Sequence, residues 1–164
     1  PAIIKVARCT HGNGVVLAET RKAAKAVMQA FYVEGVNFLV QEYIAESAGT
    51  DIRAFVVNGK VVASMKRQSL DDDFRSNLHQ GGEGKPIKLT QEERKTAQKA
   101  AKAMGLPICG VDMMRSSRGP LVLEVNASPG FAIEQVTNRN VAAKIIDYVE
   151  QNAKGKRRKD KVGA

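Results

Sequence analysis

Val111-Asp112-Met113-Met114-Arg115, then Ser116-Ser117-Arg118-Gly119-Pro120, then Leu121-Val122-Leu123-Glu124-Val125-Asn126, closing on Ala127-Ser128-Pro129-Gly130, is the stretch whose reading decides the fold. Two short apolar runs flank a set of turn formers, which predicts a β-hairpin. Side chains alternate along a strand, so Glu124 and Asn126 share a face. An odd-numbered loop centred on Arg118 puts Asp112 directly across from Glu124 on that face, whereas a two-residue turn at Ser117-Arg118 slips the register by one and scatters the three. Two carboxylates and an amide are hard oxygen donors that together suit magnesium or manganese, ions that usually stay partly bound to water and to substrate phosphates. The alternative is a half-exposed hairpin with ordinary solvated acids; Asn126 and the Ser-Pro-Gly that follows it favour the metal reading.

The chain has 164 residues, 43% hydrophobic and 26% charged, enough for a globular body that buries roughly two-thirds of its unfolded surface. No apolar run is long enough to cross a bilayer and the first residues lack a secretory pattern, so a cytoplasmic protein with no membrane partner is expected. Cys9 and Cys109 stand apart from any ligand cluster, and His11 and His79 are isolated, which argues against a zinc site or a disulfide framework. The net charge is +9, but Lys154 to Lys161 holds six basic residues and one acid, leaving +4 for the rest. The segment 153–164 is expected to be a poorly ordered basic tail; charge alone would also let it touch RNA or an acidic protein. Pro1-Ala2-Ile3-Ile4-Lys5-Val6-Ala7 reads as a strand already under way, without an initiator Met, and suggests a piece of a longer protein.

Working along the chain, residues 1–44 read as a small α+β lobe. A first strand is followed by the glycine-bearing loop Thr10-His11-Gly12-Asn13-Gly14, a second strand at Val15 to Ala18, a helix capped by Thr20 with Ala24, Val27 and Phe31 on its apolar stripe, and a third strand from Asn37 to Glu42. Residues 45–152 read as a larger lobe. Its strands Asp51 to Val57 and Lys60 to Arg67 meet at Asn58-Gly59, a strong signal for a two-residue hairpin turn. The polar stretch Gln68 to Lys85 is too long for a minimal connection and is a candidate functional loop. Thr90-Gln91-Glu92-Glu93 forms a capping box for a helix that turns Ala97, Ala100, Ala101 and Met104 inward and stops at Gly105. Val141, Ile145, Tyr148 and Val149 mark a last amphipathic helix.

Lys5, the Thr10 to Gly14 loop, Gln41-Glu42-Tyr43-Ile44, Asp51-Ile52-Arg53, Phe74-Arg75-Ser76-Asn77-Leu78-His79 with Gly81-Gly82, Asp112, and Glu124 to Gly130 together resemble the RimK branch of the ATP-grasp ligases. The resemblance spans all but the basic tail, and the order of the segments makes it specific. It implies an α+β fold of two lobes with mostly antiparallel sheets, and ATP with one or two Mg2+ or Mn2+ ions as cofactors. It implies that Lys5 and the loop residues Thr10, Gly12, Asn13 and Gly14 contact phosphates, and that backbone groups of Glu42 and Tyr43 meet the adenine. Asp51 would accept from ribose hydroxyls, and Arg75, Ser76 and Asn77 would contact the nucleotide. Asp112, Glu124 and Asn126 would hold metal. Tyr43 could instead be core. Arg53 could face the acceptor or be a structural ion pair, and Arg75 brings a guanidinium suited to phosphate oxygens.

The activity implied is ligation of a carboxylate to an amine through an acyl phosphate. The nearest resemblance is to the ligase that adds glutamate to the C-terminal carboxylate of a small-subunit ribosomal protein. Relatives that act on an amino-acid carrier protein or a cofactor share the same nucleotide motifs, and a non-catalytic nucleotide- or RNA-binding module is the reading from another class. A homo-oligomer stays open. Two departures stand out: Arg8-Cys9 where related loops are commonly acidic or glycine, and Phe131-Ala132 before Ile133-Glu134 where a glycine is usual. Family members also carry an N-terminal domain and an upstream nucleotide lysine, so the 164 residues alone are expected to bind ATP weakly and to transfer no glutamate.

Overall fold

The computed structural model describes residues 1–8, 13–70, 73–76 and 82–153; the expectation for the basic tail from Lys154 onward lies outside them. Two antiparallel sheets organise the chain. The smaller, in the order β2-β1-β3, is built from β1 (Ala2–Val6), β2 (Val15–Ala18) and β3 (Phe38–Glu42), with α1 (Arg21–Val33) between the last two in sequence. Thr20 caps α1 by accepting from the Ala23 N–H at 3.1 Å, as its place before the apolar stripe predicts.

The larger sheet runs β6-β5-β4-β7-β8, from β4 (Thr50–Val57), β5 (Lys60–Gln68), β6 (Glu83–Pro86), β7 (Ile108–Ser116) and β8 (Gly119–Asn126). Strand β6 occupies the end of the stretch expected to be loop. Asn58 and Gly59 both take left-handed conformations, with φ of 49° and 70°, which is the geometry that a two-residue turn between twisted strands requires. Helix α2 (Gln91–Ala103) covers one face, packing Ala97 and Ala101 on Ile52, Ala54, Val56, Cys109, Val111 and Met113. The opposite face carries Phe55, Val57, Ala63 and Met65 beneath α3 (Ala132–Thr137), unforeseen in the sequence, and α4 (Val141–Asn152). These two helices cover only the apolar end of that face. The other end of the same strand face carries Asp51 and Arg53, and that is where the charged side chains collect.

Helix α2 begins with both halves of its capping box: Thr90 Oγ1 accepts from the Glu93 N–H at 3.1 Å and Glu93 Oε2 from the Thr90 N–H at 2.8 Å. Met104, expected inward, is 61% exposed, because it is the C-cap residue and Gly105 turns the chain away after it. Glu93 is buried and also accepts from Arg115 Nε at 2.6 Å. Burial pushes its carboxyl up, but Arg115 and the Thr90 N–H outweigh this and hold it below the ordinary glutamate value. A carboxylate depressed by folding contributes stability that is fully present above its unfolded pKa and is lost as pH falls through the folded one. Urea melts taken at successively lower pH are therefore expected to show the chain losing its advantage over Glu93→Gln below about pH 4.5. An advantage that stayed constant through the acid range would contradict this.

Candidate functional site

Cross-strand pairing assembles the charged end of the sheet. Asp51 on β4 sits opposite Arg67 on β5, Arg53 on β4 opposite Asp112 on β7, and Asp112 opposite Glu124 on β8. Directly opposed residues project to the same face, so the five form a ladder across four strands. Asp112 thus faces Glu124, as the metal reading needs, but by a different route from the one expected. The turn is the two-residue one, with Ser116 paired to Gly119, and a β-bulge between Val122 and Glu124 leaves Leu123 without a partner and restores the register. The β4–β5 hairpin repeats the device: its tight turn alone would bring Lys66 opposite Asp51, and an irregularity beside Phe55 and Val56 shifts the pairing so that Arg67 arrives instead. One extra residue per hairpin decides which side chain meets the acid.

Asp112 is 2% exposed and accepts three hydrogen bonds: Arg53 Nε to Oδ1 at 2.8 Å, Arg53 Nη2 to Oδ2 at 2.7 Å and Arg67 Nη2 to Oδ2 at 2.7 Å. Burial pushes its carboxyl up, but the two guanidiniums outweigh burial and hold it below the ordinary aspartate value. Arg67 forks onto both oxygens of Asp51. Burial disfavours its charge, yet Asp112 and Asp51 more than offset this and its pKa lies above the ordinary arginine value. Asp51 shares one guanidinium, and burial together with the nearby negative Asp112 leaves its carboxyl raised. Two arginines and two aspartates thus form a neutral buried tetrad.

The tetrad shows how two of the expected site residues are held. Asp51 has both oxygens on Arg67, with Ser76 also bonded to it, and it is buried on the same strand face as Asp112 and Glu124. For Arg53 the structural ion pair is the arrangement present. Arg67 was not singled out by sequence reasoning. The signal was available, since Asn58-Gly59 fixes the hairpin, but the bulge that selects Arg67 over Lys66 has no Gly or Pro to announce it.

The remaining candidates lie around this floor. Lys5 reaches from the small sheet to within 4.0 Å of Glu124 Oε2, and the Glu124 side chain is 49% exposed. Asn126, paired with Gly110, accepts the Ser128 N–H on Oδ1 at 2.8 Å, which folds Ser128-Pro129 back over β7. A Cβ at Gly110 would lie 2.9 Å from Pro129 Cβ, so the absent side chain is what lets this loop close beside Arg53. Arg75 forks onto Asp73, its Nη2 2.7 Å from Oδ2, with its guanidinium 5.5 Å from the Phe74 ring. Ser76 is buried. Gly49 (φ +65°) pins this segment by donating to the Phe74 carbonyl, and a Cβ there would come within 2.9 Å of the Asp73 carbonyl oxygen. Glu42 is exposed and accepts from Arg118 Nη2 at 2.6 Å, and Tyr43 is half-buried. Asn13 and Gly14 are exposed at the foot of β2, where the Gly14 carbonyl accepts the Val6 N–H. Thr10, Gly12 and Asn77 lie outside the described residues.

Donor counting tests whether these oxygens fit a hard cation. A carboxylate offers about four lone-pair positions; the three bonds to Asp112 leave one, on Oδ1. Asn126 Oδ1 has one position beyond the Ser128 bond, and Glu124 meets Lys5 only at the outer limit of an ion pair. The set of two carboxylates and an amide can therefore supply one oxygen each. Among the described residues no cluster of three His, Cys, Asp or Glu offers a competing site, and no helix is long and apolar enough to cross a membrane.

Comparison with known proteins is consistent along the chain. The family model for the RimK-like ATP-grasp domain matches residues 1–149. A probable alpha-L-glutamate ligase of Picosynechococcus sp. is 59% identical over 154 residues, covering 93% of this chain and 51% of that protein. Another, of Thioalkalivibrio sulfidiphilus, is 56% identical over 155 residues, covering 94% and 52%. The chain spans about half the length of these curated relatives. Among solved structures, the ATP-grasp ligase PsnB complexed with minimal precursor, Mg and ADP superposes with a TM-score of 0.66 at 21% identity, covering 92% of this chain and 46% of that one. At that identity the likeness is one of fold.

Proposed function

The chain belongs to the RimK-like ATP-grasp family, and from that premise we propose that it forms the nucleotide- and metal-holding part of an ATP-dependent α-L-glutamate ligase. The observation that carries the reading is the exposed Glu124 set opposite the buried Asp112, with Lys5 of the other sheet 4.0 Å away. In this reading the ATP phosphates lie between the two sheets. Lys5 and the loop ending at Asn13-Gly14 meet phosphate oxygens from one side, while the Arg75 guanidinium offers a second phosphate contact. Asp112, Glu124 and Asn126 hold Mg2+, the ion seen with PsnB, or Mn2+. A cation held by these three residues would supply charge neutralisation for the phosphates. Arg53 and Arg67 fix the Asp112 carboxylate in one orientation, so its free lone pair keeps a constant direction. The acceptor carboxylate attacks the terminal phosphate to give an acyl phosphate and ADP; the amine of glutamate then displaces phosphate and forms the amide. Such chemistry depends on positioning and charge neutralisation.

The acceptor we propose is a protein C-terminal carboxylate, that of a small-subunit ribosomal protein, in the cytoplasm. That PsnB has also been solved complexed with a precursor peptide supports a polypeptide over a small-molecule acceptor. The test incubates the whole protein with ATP, magnesium, glutamate and separately a ribosomal protein, an amino-acid carrier protein and a small carboxylate. Intact-mass measurement is expected to show additions of one glutamate residue at a time on the ribosomal protein alone. Additions on another acceptor would move the substrate, and no ATP-dependent addition on any would remove the ligase reading.

A further inference from the structure

At the β4–β5 turn end of the large sheet, a concavity of about 690 Å³ lies between α2 on one face, the turn itself and Tyr148 of α4 from the other face. Lys95, Lys99 and Lys102 line it, spaced by four and three residues and so stacked on one side of the helix. Gln98, Asn58 and Tyr148 complete the wall that matters here, and the Gln98 amide is fixed by donating to the Gly59 carbonyl at 2.7 Å. No carboxylate is among the lining residues, and among the described residues none of the three lysines forms an ion pair. Lys85 and Lys144, by contrast, do pair, with Glu83 and Asp147. The acids of α2 are confined to its first turn, where Glu93 is taken by Arg115.

Cations late in a helix complement its dipole, which accounts for Lys102 but not for a row of three reaching back to Lys95 around one hollow. Lysine ammoniums are point charges without the fork that grips a carboxylate two bonds at a time, so the row suits a string of phosphates over an acidic peptide. A half-buried aromatic, Tyr148, stands among the cations, and single-stranded nucleic acid is held by a positive groove with aromatic rings along it. From the end of α4 the sequence runs into six more basic residues.

We propose that this face binds single-stranded RNA through its phosphate backbone. The surface lies at the β4–β5 turn end of the sheet, away from Asp112 and Glu124, so binding needs neither ATP nor the ligase reading. The experiment is fluorescence polarisation of the full chain with a labelled single-stranded RNA of mixed sequence across about 50 to 200 mM KCl. The comparison is with the triple variant Lys95→Gln, Lys99→Gln, Lys102→Gln, and both are also made in a form ending at Ala153. Losing three phosphate contacts is expected to lower the slope of log affinity against log salt by about 2 and to weaken binding about tenfold, in the shortened form too. Thermal melts are expected to coincide, because all three side chains are exposed. Unchanged RNA affinity and slope in the shortened triple variant would overturn the proposal, and so would an oligoglutamate of equal charge that displaces RNA as effectively as unlabelled RNA does.

Discussion

Asp112→Ala is expected to destabilise the chain by about 3–5 kcal/mol, the usual effect of removing one partner from a buried charge pair. The carboxylate is 2% exposed and is the acceptor for both Arg53 and Arg67, whose side chains are 14% and 4% exposed. Without it, two guanidiniums share the single negative charge of Asp51, and the Arg53 fork loses both bonds that the structure gives it. The strength lies in the asymmetry: the intact tetrad is close to neutral in its net effect, whereas the broken one leaves an uncompensated buried charge. In a protein of this size a loss of that order lowers Tm by roughly 10 °C. Thermal melts of Asp112→Ala beside Asp112→Asn check it, with the asparagine variant retaining one acceptor oxygen and falling less far. An alanine variant that melts within a degree or two of the parent would mean that the tetrad carries no stability.

The same residues show what can be read from the chain and where reading stops. Local chemistry was legible: Asn58-Gly59 fixed one hairpin, Thr90 and Glu93 opened α2, and Thr20 opened α1, because each depends on backbone geometry within four residues. Strand alternation and hard-oxygen chemistry gave Asp112, Glu124 and Asn126 as a set, which the family resemblance then matched. The partners that surround Asp112 were another matter. Arg67 lies 45 residues away and Arg53 lies 59 away, and whether either meets the carboxylate depends on strand register. Each hairpin has a two-residue turn followed by one unpaired residue, Val62 in one and Leu123 in the other. Neither is glycine or proline, so nothing local marks the bulge. The bulges are selected by what they bring together, an arginine to Asp51 and Glu124 to Asp112, which is information of the folded sheet. Met104 failed for the opposite reason: its spacing fits the apolar stripe, but the helix ends at that residue.

On the proposed reading, Glu124→Ala in the whole protein is expected to lower ligation by about 10²-fold or more while leaving the fold intact. The contrast with Asp112 follows from position on one rung of the ladder. Glu124 occupies β8, the edge strand, with its side chain 49% exposed and, among the described residues, Lys5 as its one charge partner at 4.0 Å. An exposed ion pair at that distance contributes about 0–1 kcal/mol, so the melting curve of Glu124→Ala should lie almost on that of the parent. Its oxygens, unlike those of Asp112, are not consumed by arginines, so on the proposed reading Glu124 is the ligand with most freedom to grip a cation and the one whose loss falls on phosphate binding alone. Raising magnesium should recover part of the activity of Glu124→Gln, which keeps one oxygen, and little of that of Glu124→Ala. Intact-mass rates across a magnesium titration, run beside melts of the same preparations, separate the two effects. Near-normal product formation by the alanine variant at saturating magnesium would remove Glu124 from the site.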